Sequence, residues 1–165
     1  MELDTLEQLY VDELKDLWSA ENQIVKALPK LIKAARSKAL KQAFRRHLAQ
    51  SREHIRRLNR ITRALGVSPR GKHCGGMEGL IGEGADLIKE RPEPDVLDAG
   101  LITAAQHVEH YEMAGYGTVR TWARLLGYRD QARLLQRTLN EEGATDKALT
   151  WLAKKINVDA KSPED

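Results

Sequence analysis

An all-α chain is the fold class this sequence predicts, and three observations predict it. Apolar content is carried by helix formers: Ala and Leu number 19 and 22, against 15 for Val and Ile together and 8 aromatic residues. That balance excludes a β-sandwich or a parallel sheet built on β-branched side chains. Four long stretches repeat apolar residues at spacings of three and four, the period of a helix with one buried face. Helix breakers fall between those stretches, with Pro29 the exception.

The first helix is expected from Asp4 to Ala35 on the stripe Leu3, Leu6, Tyr10, Leu14, Leu17, Glu21, Ile24, Leu28, Leu31, Ala35, with a kink or local break at Pro29. The second is expected from Lys38 to Leu65, stopped by Gly66 with Pro69 soon after. A Gly-rich stretch follows, in which Met77 to Lys89 can form a short amphipathic helix. Pro92 and Pro94 precede a third long helix, Asp95 to Leu126, which ends at Gly127. The fourth runs from Asp130 to Ile156 on Leu135, Leu139, Glu142, Asp146, Leu149 and Leu152. Very short connections join each long pair, so both should be antiparallel αα-hairpins, and the connection between hairpins is long enough to cross a bundle end to end. The architecture expected is therefore a ferritin-like antiparallel four-helix bundle with a long crossover carrying a short extra helix. Residues 1–158 should form this one domain, with 159–165 a flexible tail.

Exclusions narrow the function. No apolar run approaches the ~20 residues of a membrane span, and the acidic, amphipathic N-terminus MELDTLEQLYVDELK reads as no secretory signal. The single cysteine, Cys74, allows no internal disulfide and no multi-cysteine zinc site. A cytoplasmic location is expected. Charge is uneven: residues 1–25 hold seven acids and one base, whereas residues 26–63 hold 13 Lys/Arg and one acid, Glu53. A basic second helix, including Arg56 and Arg57, raises the alternative of a non-enzymatic protein that binds nucleic acid or a protein partner through it, although solvated arginines beside an acidic neighbour are the more ordinary reading.

Some residues do not belong on their stripes. Glu21, Glu142 and Asp146 stand where the period calls for an apolar side chain, and an uncompensated buried carboxylate costs several kcal/mol. His47, Gln50 and His54 follow one path through the second helix with Ala43, Leu58 and Ile61, and Glu109 and Glu112 lie between Ala105 and Tyr116 in the third long one. Counted from the first turn near residue 37, Glu21 is 16 positions before it and Gln50 and His54 are 13 and 17 after. Counted from the second turn near 128, Glu112 and Glu109 are 16 and 19 before, Glu142 and Asp146 14 and 18 after. At about 1.5 Å per residue the misfits share one level. No Lys or Arg is expected on the stripes there. Five acids and one imidazole then call for divalent cations, iron or manganese by donor type, and two ions would balance most of the charge. The expected ligands are Glu21, His54, Glu109, Glu112, Glu142 and Asp146, with Gln50 a weak or outer donor. The competing reading is a buried polar network with some carboxyls protonated. His110 reads as a surface or outer group, His73 and Cys74 as ordinary loop residues, and Trp18, Trp122 and Trp151 as core or interface.

The segments LWSAENQIVKALPKL, KALKQAFRRHLAQSREHIRRL, CGGMEGLIGEG, DAGLITAAQHVEHYEMAGYGTVRTWARLLGY and TLNEEGATDKALTWLA resemble the YciE/YciF family of bacterial stress proteins over about residues 3–156. The resemblance implies a ferritin-like bundle, a dinuclear metal centre and a homodimer. The chemistry expected of such a centre is reaction of reduced metal with O₂ or peroxide, as in a ferroxidase or a peroxide-consuming oxidoreductase. Two departures from the family pattern are Gln50, where a glutamate is usual, and the four-residue spacings Gln50–His54 and Glu142–Asp146 in place of Glu-x-x-His.

Overall fold

The computed structural model describes residues 3–161 as five helices, with no strand among the described residues: α1 Leu6–Ala34, α2 Lys38–Ala64, α3 Gly75–Lys89, α4 Pro94–Leu125 and α5 Arg129–Lys161. Local chemistry accounts for the ends. Thr5 caps α1 in a reciprocal capping box with Gln8, Ser37 caps α2, and the Cys74 sulfur accepts from the Met77 amide at the start of α3. Pro94 opens α4, where its missing N–H costs nothing. Gly66 and Gly127 take φ of +69° and +81° just past α2 and α4, a conformation that L-residues rarely adopt. Two expectations need correction. Of the kink or local break expected at Pro29, the break does not occur: α1 continues as helix across it, with Leu28 in the core. Residues 159–161, expected in a flexible tail, extend α5, and the remainder of that tail, 162–165, lies outside the described residues.

Among the four long helices α1 packs on α2, α4 on α5, α1 on α4 and α2 on α5, while α3 lies against α4 and α1. The hairpin turns sit at opposite ends. Asp98 near the start of α4 accepts the Arg36 and Ser37 amides of the first turn, each at 2.7 Å. At the far end Tyr10 of α1 donates to Gln131 of α5 at 2.8 Å, and Tyr128 of the second turn meets Glu7. The crossover through α3 spans this length.

Apolar burial is split in two. One cluster, with Ile24, Leu28, Leu40, Phe44, Leu101, Ile102 and Leu149, fills the end near the first turn. The other, with Tyr10, Leu14, Leu17, Leu58, Ile61, Val119 and Leu135, fills the end near the second. The layer between them is polar yet as dry as either half. Trp18 is half-buried and donates to Asn59 at 2.9 Å, but Trp151, expected in core or interface, is 70% exposed in the single chain.

Candidate metal centre

Six ionisable side chains meet in the dry layer: Glu21 from α1, His47 and His54 from α2, Glu109 and Glu112 from α4, and Glu142 from α5. None is more than 4% exposed. They fall into two groups that share one member. His47, Glu109, Glu112 and Glu142 form one group and Glu21, His54 and Glu142 the other, each with ligand-type atoms within 4.8 Å of one another. Glu142 stands between the two.

Helix geometry explains which residues arrive. Seven positions are nearly two full turns, so at about 100° per residue His47 and His54 lie within about 20° on α2. Along that line Leu40, Phe44, Ser51, Leu58 and Ile61 are also buried. Measured from the Asp98 contact, Glu109 is as far along α4 as His47 is from Arg36 along α2, eleven positions each. The two side chains touch as an ion pair.

Within the second group His54 Nδ1 is 2.9 Å from Glu21 Oε1 and 2.9 Å from Glu142 Oε1. Its other nitrogen, Nε2, is 2.9 Å from Glu141 Oε2. Glu141 is held by Arg57, whose Nη1 and Nη2 donate at 2.7 and 3.0 Å, and by Arg137 at 3.3 Å. Tyr116 donates its hydroxyl to Glu21 Oε1 at 2.6 Å.

Sequence reasoning had left this level free of cations; Arg57 is there, 5% exposed, because α2 turns it toward Thr138 and Glu141 of α5. It pairs with Glu141 and not with the six clustered groups.

Two expected ligands lie outside the cluster. Gln50 is half-buried and accepts from the Thr145 hydroxyl at 3.3 Å. Asp146 accepts from Gln106 at 3.1 Å and sits 3.2 Å from the exposed His110. Each lies about 40° round its helix from His54 or Glu142, enough to turn it toward the rim. His47 and Glu141, absent from the expected ligand set, take their places in the cluster and beside it. For His47 the available signal was its seven-residue spacing from His54 on a buried line; for Glu141 there was none beyond adjacency to Glu142.

The electrostatics follow from burial and crowding. Burial alone would lower both histidines, yet Glu109 with Glu142 and Glu21 lifts His47 to about 9, and Glu21 with Glu142 lifts His54 to about 11. Burial, then the charges of Glu142, Glu21 and Glu109, pushes Glu112 well above the carboxylate range. Glu109 also rises, burial outweighing the pull of His47. Burial would raise Glu142 as well, but contact with His54 and the two imidazolium charges hold it low. Without metal the layer therefore favours protons, with both imidazoles and the Glu112 carboxyl pushed toward their protonated forms.

A divalent cation fits the donors that remain. Glu21 Oε2, Glu109 Oε2, both oxygens of Glu112 and His47 Nε2 are buried with no hydrogen-bond partner among the described residues, and Glu109 Oε1 and Glu142 Oε1 meet only imidazole nitrogens. Each such orphan costs on the order of 1–3 kcal/mol. Carboxylate oxygen with imidazole nitrogen is a donor set for iron or manganese. The four clustered acids carry four negative charges when ionised, which two divalent ions would balance.

Comparison with known proteins follows the same line. Residues 5–161 match the family model described as a domain of unknown function, DUF892. The chain is 44% identical over 154 residues to protein YciF of Escherichia coli K12, covering 93% of each sequence. The solved structure of the E. coli stress protein YciF superposes with a TM-score of 0.90 at 42% identity, over 93% of this chain and 98% of that one. The structure of YcfI from Rhodopseudomonas palustris gives 0.87 at 41% identity, over 90% and 95%. A protein of Xanthomonas campestris at 15% identity gives 0.74 over 93% and 94%, a likeness of fold alone.

Proposed function

The chain belongs to the DUF892 family and is a homologue of the stress protein YciF, and from that premise we propose that it is a ferritin-like four-helix bundle holding two iron or manganese ions in its central layer. One observation carries the reading: Glu142 belongs to both groups of possible ligands, so it would serve both metal positions. Glu21 and His54 would complete one position, and His47, Glu109 and Glu112 the other.

Ions of this kind supply one-electron steps toward O₂ or peroxide, which makes a ferroxidase or a peroxide-consuming oxidoreductase the activity we propose. The chain's own groups do the rest. Glu141, fixed by Arg57, accepts the Nε2 proton of His54 and leaves Nδ1 to face Glu21 and Glu142. Tyr116 steadies Glu21 through its hydroxyl. The apolar halves above and below exclude water, so the carboxylates meet incoming charge in a low dielectric.

Anaerobic titration with Fe(II), followed by metal analysis and then exposure to O₂, tests the reading. Two equivalents retained and oxidised faster than Fe(II) in buffer is the result expected. No retained iron or manganese ends it.

A homodimer and a cytoplasmic location are carried forward as proposals. Trp151 and Val158, both exposed on the last turns of α5, offer the apolar surface a second copy would cover. No helix among the described residues is long and apolar enough to cross a membrane. The alternative of nucleic-acid binding through α2 loses Arg57 to its buried pair with Glu141, and Arg56 is engaged with Glu53 at 2.7 Å.

A further inference from the structure

A narrow apolar space runs between α1, α3 and α4 and ends on the metal-ligand candidates. Its volume is about 40 Å³, and its walls include Leu28 of α1, Ile81 of α3 and Ala105 and Val108 of α4. The two polar residues of its lining, His47 and Glu109, are buried and mark its inner side. Apart from those two, every residue lining it is aliphatic or glycine. Gly84 of α3 is buried over it and packs against Ala104, where a Cβ would meet the Ala104 methyl at 3.4 Å.

The shape and the lining decide what can enter. One water needs roughly 10–15 Å³ and two to four polar partners, and the walls offer none before the inner end. A charged or strongly polar molecule would shed its hydration along the whole length without compensation. A diatomic gas loses almost nothing there, and about 40 Å³ leaves it room. At the inner end, His47 Nε2 and Glu109 Oε2 are buried and unpartnered among the described residues. On the α2/α5 side, by contrast, the Arg57–Glu141 pair stands between the cluster and solvent.

We infer that this space between the crossover helix and α1/α4 is the seat and entry path of a small apolar gas, dioxygen by chemistry, beside His47 and Glu109. The inference rests on the proposed metal function for its purpose, but the binding space itself does not need the metal. It also selects between the two oxidants, since peroxide, a strong hydrogen-bonding molecule, is excluded from such walls.

Methyl NMR of the metal-free protein under dioxygen pressure, referenced to nitrogen at the same pressure, tests it. The methyls of Leu28, Ile81 and Val108 should show paramagnetic relaxation several-fold above that of Leu14, which is buried like Leu28, and of Leu134 and Leu139, which are partly buried like Ile81 and Val108, all three in the other half. Filling the space from the half-buried Ala27 with Ala27→Phe, or from its depth with Ala105→Leu, should bring that excess to the level of the reference methyls. Both variants should still take up Fe(II) in the wild-type amount. Equal relaxation at the two sets of methyls in the wild type, or ordered water filling the space in a crystal, overturns the inference. Excess relaxation without any Fe(II) uptake would instead keep the gas site and discard the metal reading.

Discussion

His54 Nδ1 stands 2.9 Å from Glu142 Oε1, and the same nitrogen is 2.9 Å from Glu21 Oε1, so one imidazole edge ties α1, α2 and α5 together at the centre of the bundle. Because Glu142 also faces Glu109, Glu112 and His47, its loss should be felt in both positions. Glu142→Gln is expected to abolish retention of both Mn(II) or Fe(II) equivalents, whereas Glu112→Gln should lose one. Asp146→Ala, at the rim, should leave uptake unchanged. Equilibrium dialysis with metal analysis checks all three.

Glu141 touches no other member of the cluster except through His54. Replacing an outer carboxylate that orients a metal-binding histidine typically lowers affinity about 10–100-fold. Glu141→Gln should show that loss in competition with a chelator, with stoichiometry unchanged and the helical circular dichroism of the wild type. An unaltered affinity would confine Glu141 to its pair with Arg57.

Proton storage makes the metal-free chain sensitive to alkali. The pKa of His47 is raised from 6.5 to about 9 and that of His54 to about 11. A raised group contributes its stability in full below the unfolded value and loses it as pH climbs through the folded value. Thermal melts of the metal-free protein should therefore fall between pH 6.5 and pH 9. Metal must displace these protons, so the rise in Tm produced by saturating Mn(II) should widen over the same interval. A metal-induced rise that is flat with pH would contradict this.

Glu112 is wholly buried, and neither of its oxygens has a hydrogen-bond partner among the described residues. Replacing a buried polar group that has no partner by an apolar one of similar size removes a desolvation penalty of about 1–3 kcal/mol. Glu112→Leu should raise the metal-free stability by that order in urea denaturation while reducing the stabilisation conferred by metal. Asp98→Ala should act in the opposite sense. It removes the acceptor for the Arg36 and Ser37 amides, at a cost on the order of 3 kcal/mol, and leaves metal uptake intact.

The helices were legible in the sequence because their ends are marked by strong local chemistry: Ser37, Gly66, Pro94 and Gly127 act within a few residues of themselves. The acids Glu21, Glu109, Glu112 and Glu142 were legible because carboxylates on or beside an apolar stripe are costly enough to need a reason. Register across helices was less so. Counting depth from each turn treats the turns as if they shared an end, whereas they lie at opposite ends. Near the midpoint the two counts agree; away from it they diverge. His47, ten positions past its turn, looked too shallow, yet it meets Glu109. Gln50 and Asp146 looked level but lie round the helix from the seam. Arg57 carries a charge that reads as surface, and only its pairing with Glu141 across α5 explains its burial.

On the proposed reading, cations rather than protons alone hold the acids of this layer. A crystal grown with Mn(II) and measured for anomalous scattering addresses it directly. Two peaks within coordination distance of Glu142, one toward Glu21 and His54 and the other toward His47, Glu109 and Glu112, are predicted. A layer without anomalous density, its carboxyls hydrogen-bonded only to one another and to the two histidines, would contradict the account.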